Sequence, residues 1–533
     1  MGFSANRLPY RQTGYFSKTV LDYIDQAPAI KPFFAQPPTL QGIQKAIEAR
    51  KNFSTDRKLL IGELKKQYES VSTATEVLQN IESLLSPETF TITTAHQNNI
   101  FTGPLYFIYK IIHTIRLATY LKESLPQYNF VPVYYVGAED ADLDELNHIY
   151  LNNEKLTWDT KQTGTVGRMK VDKELVKLRE LIEGQLGIEH YGKEIAAILK
   201  ECYKEGNDIQ TATFRFVNEL FGKYGLIVLL PDNAVFKKQV TKIFKDDLLN
   251  QTASGIVEHT IEELEKAGYK AQANPREVNL FYLQGDIRER IEHGGEEWQV
   301  VNEKIKFSKE ELFKELEEHP ERFSPNVILR GLYQSTILPD VAFIGGGGEV
   351  AYWLQLQKLF IHYKTPYPVL VLRNSFLIVE KKWQEKIAKL GFEVDDFFSN
   401  EDELMKKLVV KESKNEIKLN GALMEIEQLY TQFKEQANAI DSTLSRHVDA
   451  LKLQTVQRLQ KLEKKMYRAE KRKFADRQRQ IQAIRSHLFP QNGLQERYDN
   501  ICYYYAKWGK DFIKSLYENS LSLEQEFVVL NEK

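Results

Sequence analysis

The rhythm of apolar and polar positions changes several times along the chain, and each change marks an element. Phe90–Thr94 is a short β-prone run, and Ala95–Thr102 is a polar loop with one imidazole and three amides. Thr102-Gly103-Pro104 then opens a helix, because a hydroxyl can cap it and a proline in the first turn gives up an N–H that has no partner there. Leu105, Ile108, Ile111, Ile112, Ile115 and Ala118 recur at helical spacing. A second apolar strand follows at Phe130–Val136. The same rhythm returns later: a strand at Val341–Ile344, a glycine turn, a helix over Glu349–Phe360 and a strand at Val369–Leu372. Between them Gly225–Pro231 is a continuous apolar run, the signature of a parallel strand buried on both faces. The pattern predicts an α/β fold with a parallel-sheet core, a class that binds ligands outside the carboxyl ends of its strands.

Around that core the chain divides into further segments. Residues 1–89 read as an N-terminal segment packing on the core, irregular at first and helical over Tyr23–Ile30 and Leu40–Gln79. The first part of the core is 90–150. Residues 151–224 form an insertion with helices near Lys173–Gln185, Tyr191–Tyr203 and Gln210–Phe221; a core strand occupies 225–233. A second insertion, 234–325, reads as largely helical and charged, with a β-like patch at Val278–Leu283. Residues 326–420 are the second part of the core and a transition. From Ala422 to Phe489 there is neither glycine nor proline. Ile426, Leu429, Phe433, Ala437, Ile440, Leu444, Val448 and Leu451 follow one another in steps of three and four, a heptad-like stripe that predicts a coiled coil over 421–489. As one helix it would reach roughly 100 Å. Residues 490–533 add a helical tail rich in Tyr and Phe.

Composition narrows the function. A chain of 533 residues is too long for one ordinary core, and a net charge of −2 gives no bulk attraction for a polyanion. The two cysteines, Cys202 and Cys502, have no ligand-like spacing, which argues for a reducing compartment and against a thiolate metal site. No apolar run approaches the roughly 18 residues a membrane span needs, and the first residues hold no secretory apolar stretch. A cytoplasmic protein is expected.

The candidate chemistry lies where strands end. His96, Gln97 and Asn98, with Thr102 and Gly103, lead into a helix N-terminus that suits phosphate or carboxylate. The run Gly345, Gly346, Gly347 and Gly348 before Glu349 lets backbone pass close to a ligand and adopt positive φ, but it lacks the lysine and hydroxyl of a P-loop. Of the acids after the second strand, Glu139 and Asp140 lie nearest the strand end; they could hold Mg²⁺, bind an amine or act as a base. Asp142, Asp144 and Glu145 fit a solvated helix start. Arg330, Tyr333 and Gln334 lie between core strands and Arg373 ends one, so either arginine could fork a carboxylate. Ser308 and Glu311 form a capping box, the simpler reading of Lys306–Lys309. The basic stretch Lys461–Arg485, with Tyr467 and Phe474 as its two aromatics, has no regular interleaving of base-stacking rings and reads as a solvated coiled-coil face rather than a nucleic-acid stripe.

Three of these stretches carry a resemblance. TAHQNNIFTGPLYFIYKI (Thr94–Ile111), VPVYYVGAEDADLDE (Val131–Glu145) and LPDVAFIGGGGEVAYW (Leu338–Trp353), in that order and with a coiled coil after them, resemble the cysteine-adding enzyme of bacillithiol biosynthesis. The resemblance spans nearly the whole chain. It implies a Rossmann-like core with connecting-peptide insertions, like that of class I tRNA synthetases, and a C-terminal coiled coil that makes a homodimer. It implies a ligase joining the carboxylate of cysteine to the glucosamine amine of glucosaminyl-malate, the last step of that pathway. Such an amide needs carboxylate activation, most simply by ATP, with Mg²⁺ as a possible companion. In that frame His96 meets phosphate or the malyl carboxylate, the glycine run admits substrate, Glu139 or Asp140 orients or deprotonates the amine, and Arg330 or Arg373 pairs with a carboxylate. The rival expectations are a synthetase-like enzyme that binds nucleotide and RNA, and a non-catalytic coiled-coil scaffold.

Overall fold

Five parallel strands form the floor on which the rest is arranged. The computed structural model describes residues 2–415 and 418–533. In chain order the strands are β1 (Thr89–Gln97), β2 (Asn129–Gly137), β3 (Ile227–Leu229), β4 (Asp340–Gly345) and β5 (Val369–Leu372). Their order across the sheet is β5-β4-β1-β2-β3, with Thr93 opposite Val133 on one side of β1 and opposite Phe343 on the other. Both faces are covered, which is why these strands read as apolar runs. The chain moves outward from β1 through β2 to β3, then returns to build β4 and β5 on the other side. Strand order therefore reverses between β1 and β4, the crevice where open α/β sheets bind ligands.

Three helices start at or near that crevice: α1 (Tyr106–Ser124), α2 (Val327–Ile337) and α3 (Gly347–Trp353). Phe90, Ile92, Val341, Ile344, Val369 and Val371 pack against Leu117 and Leu121 of α1 and against Ile43 and Ile47 of the N-terminal segment. Each such side chain is worth about 1.5–3 kcal/mol of burial. Arg50, from the same N-terminal helix, is itself buried, 2.5 Å from the Asp340 carboxylate and 2.7 Å from the Ser335 carbonyl. The helix expected over Glu349–Phe360 is two, broken between Trp353 and Gln357.

Two expectations for the periphery are corrected. The second insertion contains a five-stranded antiparallel sheet that includes Leu280–Gln284, Ile287–Gly294 and Glu297–Val300. Its hairpin strand Ile287–Gly294 reads Ile-Arg-Glu-Arg-Ile-Glu-His-Gly, and charges on both faces conceal the strand signal. The ends of the chain are also strands: Phe3–Pro9 pairs antiparallel with Glu526–Glu532, seven residues each. Neither has a neighbour in sequence to pair with, so local pattern could not reveal them.

The chain separates into two units, residues 1–378 with 493–533, and 379–492. The second begins before the predicted coiled coil and holds the helices Asn420–Ile440 and Leu444–Lys471. These fold back on each other as an antiparallel hairpin: Tyr430 and Thr455 hydroxyls lie 2.8 Å apart, and Lys434 reaches Asp449 at 2.6 Å. A single 100 Å rod is thus ruled out. The break is at Asp441, whose carboxylate accepts from the Thr443 amide (2.8 Å) and hydroxyl (2.7 Å), a local bond that competes with the helix ladder.

Candidate active site

A cavity of about 520 Å³ opens at the strand reversal. The carboxyl ends of β1 and β2 supply Ala95, His96, Gln97 and Gly137; α1 supplies Tyr106 and Lys110. Asn326, Val327 and Arg330 come from the start of α2, and Gly346, Gly347, Gly348, Glu349 and Tyr352 from the start of α3. Asp140 follows β2, Arg373 follows β5, Phe281 and Arg288 reach in from the inserted sheet, and Arg497 from the tail.

The His96 ring packs against Tyr106 and Phe107 at 5.3 and 5.2 Å, and its Nε2 is buried without a partner. Burial, reinforced by the charges of Lys110 and Arg373, holds it well below the usual imidazole range, so it is neutral at pH 7. Gln97 donates to Asp140 at 2.8 Å. Burial pushes the Asp140 carboxyl up, but the Arg330 charge and the Gln97 amide outweigh it and keep the group ionised. Arg330 stands 3.7 Å from that carboxylate. Lys110, 2% exposed, pairs with Glu349 and donates to the Ala95 carbonyl at 3.0 Å. Glu349 also accepts from the Gly346 amide at 2.8 Å, which pins the glycine turn to α1. Arg373 makes a two-pronged bond to Glu496 at 2.6 and 3.0 Å. The cavity is cationic, but Lys110 and Arg373 are already neutralised by carboxylates.

The structure thus brings together His96, Gln97, Asp140, Arg330, Gly346, Gly347, Gly348, Glu349 and Arg373. It places the other candidates elsewhere. Glu139 is buried in an ion-pair network outside the lining: Lys237 bonds to it and to Asp232 (3.0 Å), and Arg168 forks Asp232 at 2.6 and 2.7 Å. Tyr333 donates to the Pro231 carbonyl (2.7 Å) and Gln334 to Asp340 (3.2 Å), both pointing into the core. Asn98, Thr102 and Gly103 lie behind the cavity. The Thr102 hydroxyl is buried without a partner and caps nothing, because α1 starts later, at Tyr106. Phe101, Thr102 and Gly103 take successive positive φ values of 49, 71 and 62°, a shape fixed by Asn500, which donates to the Phe101 and Gly103 carbonyls at 2.9 and 2.6 Å. The glycine run behaves differently from expectation: among its members none has positive φ. Gly345 is needed for space, since a Cβ there would lie 2.9 Å from the Phe343 ring.

Lys110 and Arg288 were not anticipated. Lys110 had a signal, a lone cation on the apolar face of α1; Arg288 had none, because its hairpin was hidden. Among the described residues no group of three or more His, Cys, Asp or Glu side chains is placed to hold a metal ion, and no helix is long and apolar enough to cross a membrane.

A Rossmann-like α/β core with a cationic crevice and an appended helical hairpin defines the class. The family models are specific: "Bacillithiol biosynthesis BshC, N-terminal Rossmann-like domain" matches residues 3–374, and "Bacillithiol biosynthesis BshC, C-terminal coiled-coil domain" matches 376–532. The chain belongs to the BshC family of bacillithiol biosynthesis. It is 38% identical over 528 residues to a Flavobacterium johnsoniae protein, covering 98% of this chain and 99% of that one. It is 36% identical to a Flavobacterium psychrophilum protein (98% of each chain) and 37% identical to one from Cytophaga hutchinsonii (94% of each). Each of the three is named "Putative cysteine ligase BshC".

Proposed function

We propose that this protein forms the amide between the carboxylate of cysteine and the glucosamine amine of glucosaminyl-malate, the last step of bacillithiol biosynthesis. The observation that carries the reading is the cavity itself: cations at a strand reversal, a neutral imidazole and an ionised carboxylate, in a chain of the BshC family. Every reactant it would hold carries a carboxylate, an amine or a phosphate. The ionised Asp140 accepts from the ammonium or amine and orients it. The neutral His96 imidazole is part of the wall that substrate oxygen or phosphate would meet. The glycine turn lets substrate approach the backbone. Glu139, held by Lys237, leaves the catalytic set.

ATP as co-substrate would supply the activation of the cysteine carboxylate, and the cation-rich lining fits its phosphates. A Mg²⁺ ion would enter with those phosphates, since the described residues offer no carboxylate cluster for it. The test is a mass-spectrometric assay of the purified protein with cysteine and glucosaminyl-malate, with and without ATP and Mg²⁺. Product that requires ATP is the expected result, and AMP against ADP identifies the activation chemistry. No product under any condition from folded protein would remove the reading. His96→Ala is expected to lower turnover by about a hundredfold with folding intact; unchanged turnover would take His96 out of the mechanism.

A homodimer through the hairpin is part of the same proposal. Leu429, Phe433, Ile440 and Leu451 of the heptad-like stripe remain 44, 44, 83 and 40% exposed after the hairpin closes, a surface that a second copy would cover. Light scattering at micromolar concentration should give twice the chain mass, and a Leu429→Lys/Phe433→Lys variant should give the monomer.

A further inference from the structure

We infer that Arg288, from the inserted antiparallel sheet, and Arg330, from the first turn of α2, form a clamp for a dianionic group of the substrate. Four observations converge on it. Both side chains line the cavity, one from each wall. Arg288 lies over the Phe281 ring at 3.8 Å, its Nε is buried without a hydrogen-bond partner, and among the described residues no carboxylate pairs with it. Arg330 has only Asp140, at 3.7 Å, beyond hydrogen-bonding distance, and Asp140 Oδ2 already accepts from Gln97. The two guanidinium groups are close enough to act on each other and on the same Asp140 carboxylate; Glu139, which also acts on both, is already paired with Lys237.

That arrangement is unfavourable on its own. Like charges repel in a partly desolvated cavity, and a guanidinium that makes no hydrogen bonds forfeits the fork for which it is suited. Both costs vanish when a ligand brings paired oxygens. The contrast within the same cavity is informative: Arg373 and Lys110 each have a carboxylate of the protein, Glu496 and Glu349, so they hold the wall together. The unspent charge is concentrated at Arg288 and Arg330. Between the two arginines that sequence offered as carboxylate partners, the choice falls on Arg330, with Arg288 as the second half that sequence did not show.

The chemistry recognised is a dianion presenting oxygens in pairs. In the ligase reading, on which this inference rests, two reactants carry one: the dicarboxylate of the malyl end and the phosphates of ATP. The inserted sheet is then a binding element and not only a decoration of the core. Binding discriminates the sources. Titration calorimetry with glucosaminyl-malate, with L-malate alone and with ATP should be run on the wild type, Arg288→Gln, Arg288→Lys and Arg330→Gln, each checked for an unchanged unfolding transition. Arg288→Gln and Arg330→Gln should each weaken one dianion roughly ten- to a hundredfold, the loss expected for a charge-assisted hydrogen bond. Arg288→Lys, with the charge but not the fork, should fall between. A loss confined to malate and glucosaminyl-malate assigns the clamp to the malyl end; a loss confined to ATP assigns it to the phosphates. Unchanged affinity for all three ligands in folded Arg288→Gln overturns the clamp and leaves an active wild type as a ligase. A wild type that makes no product but loses dianion affinity on substitution overturns the ligase and keeps the clamp.

Discussion

Arg373 and Glu496 are both buried, and each would be a stranded charge without the other. Replacing the carboxylate by an amide, Glu496→Gln, should therefore cost about 3–5 kcal/mol, read from the denaturation midpoint in urea. A loss under 1 kcal/mol would mean that water reaches the guanidinium. His113 is a second buried group with a defined proton. Its Nδ1 accepts from the Asn374 amide at 3.1 Å, so Nε2 carries the hydrogen that goes to the Ser522 carbonyl at 2.8 Å. Burial pulls it down to about 4. Below the ordinary imidazole value near 6.5 the unfolded chain takes up a proton that the folded chain refuses. Stability tied to this residue is thus complete above about pH 6.5 and is lost as pH falls toward 4, by about 3 kcal/mol at most. Urea melts between pH 4 and 7 should show a shallower decline in His113→Gln than in the wild type; parallel curves would exclude the residue as the source. Lys110 shows what sequence could and could not supply at this scale. Its position among Ile108, Ile111 and Ile112 marked it as a cation on a buried face, but its partner Glu349 lies on a helix far away in sequence.

At the level of elements, the polypeptide before α1 and the glycine turn before α3 make a useful pair. At Gly103 a Cβ would fall 2.6 Å from the Asn99 Cβ, in a backbone with φ of +62°. At Gly348 the nearest heavy atom to such a Cβ is 3.9 Å away, and the backbone is helical. Gly103→Ala should destabilise by more than about 1 kcal/mol, whereas Gly348→Ala should be neutral or slightly stabilising. Equal thermal shifts for the two would contradict the difference in backbone. The core strands were legible because burial on both faces removes polar residues from them. Their neighbours were not, for different reasons. The Ile287–Gly294 strand carries charges on both faces. The hairpin turns at Asp441-Ser442-Thr443, where no glycine or proline interrupts the stripe and only a side-chain bond stops the helix. Gly345–Gly348 was legible as a site feature, although its use is close packing and helix initiation rather than left-handed backbone.

For the molecule as a whole, the organising fact is that the unit bearing the cavity is discontinuous: residues 379–492 interrupt it. Arg497 of the lining and Glu496 behind it come from beyond the interruption, and Asn500 from the same stretch shapes the loop before α1. Removing Glu526–Glu532 should expose the edge of Phe3–Pro9, lower the melting temperature and reduce solubility; an unchanged melt would show that this pair is dispensable. The arrangement also has a consequence in time. On the ribosome Arg373 emerges 123 residues ahead of Glu496, an interval of roughly 6–25 s at ordinary elongation rates. Throughout it the parallel sheet can form while one of its charges has no counter-ion and its cleft has no rim. The helical hairpin, built from contacts local in sequence, can finish folding inside that gap. Nascent chains arrested before residue 496 should therefore present a folded hairpin on a core that cannot yet bind its ligands.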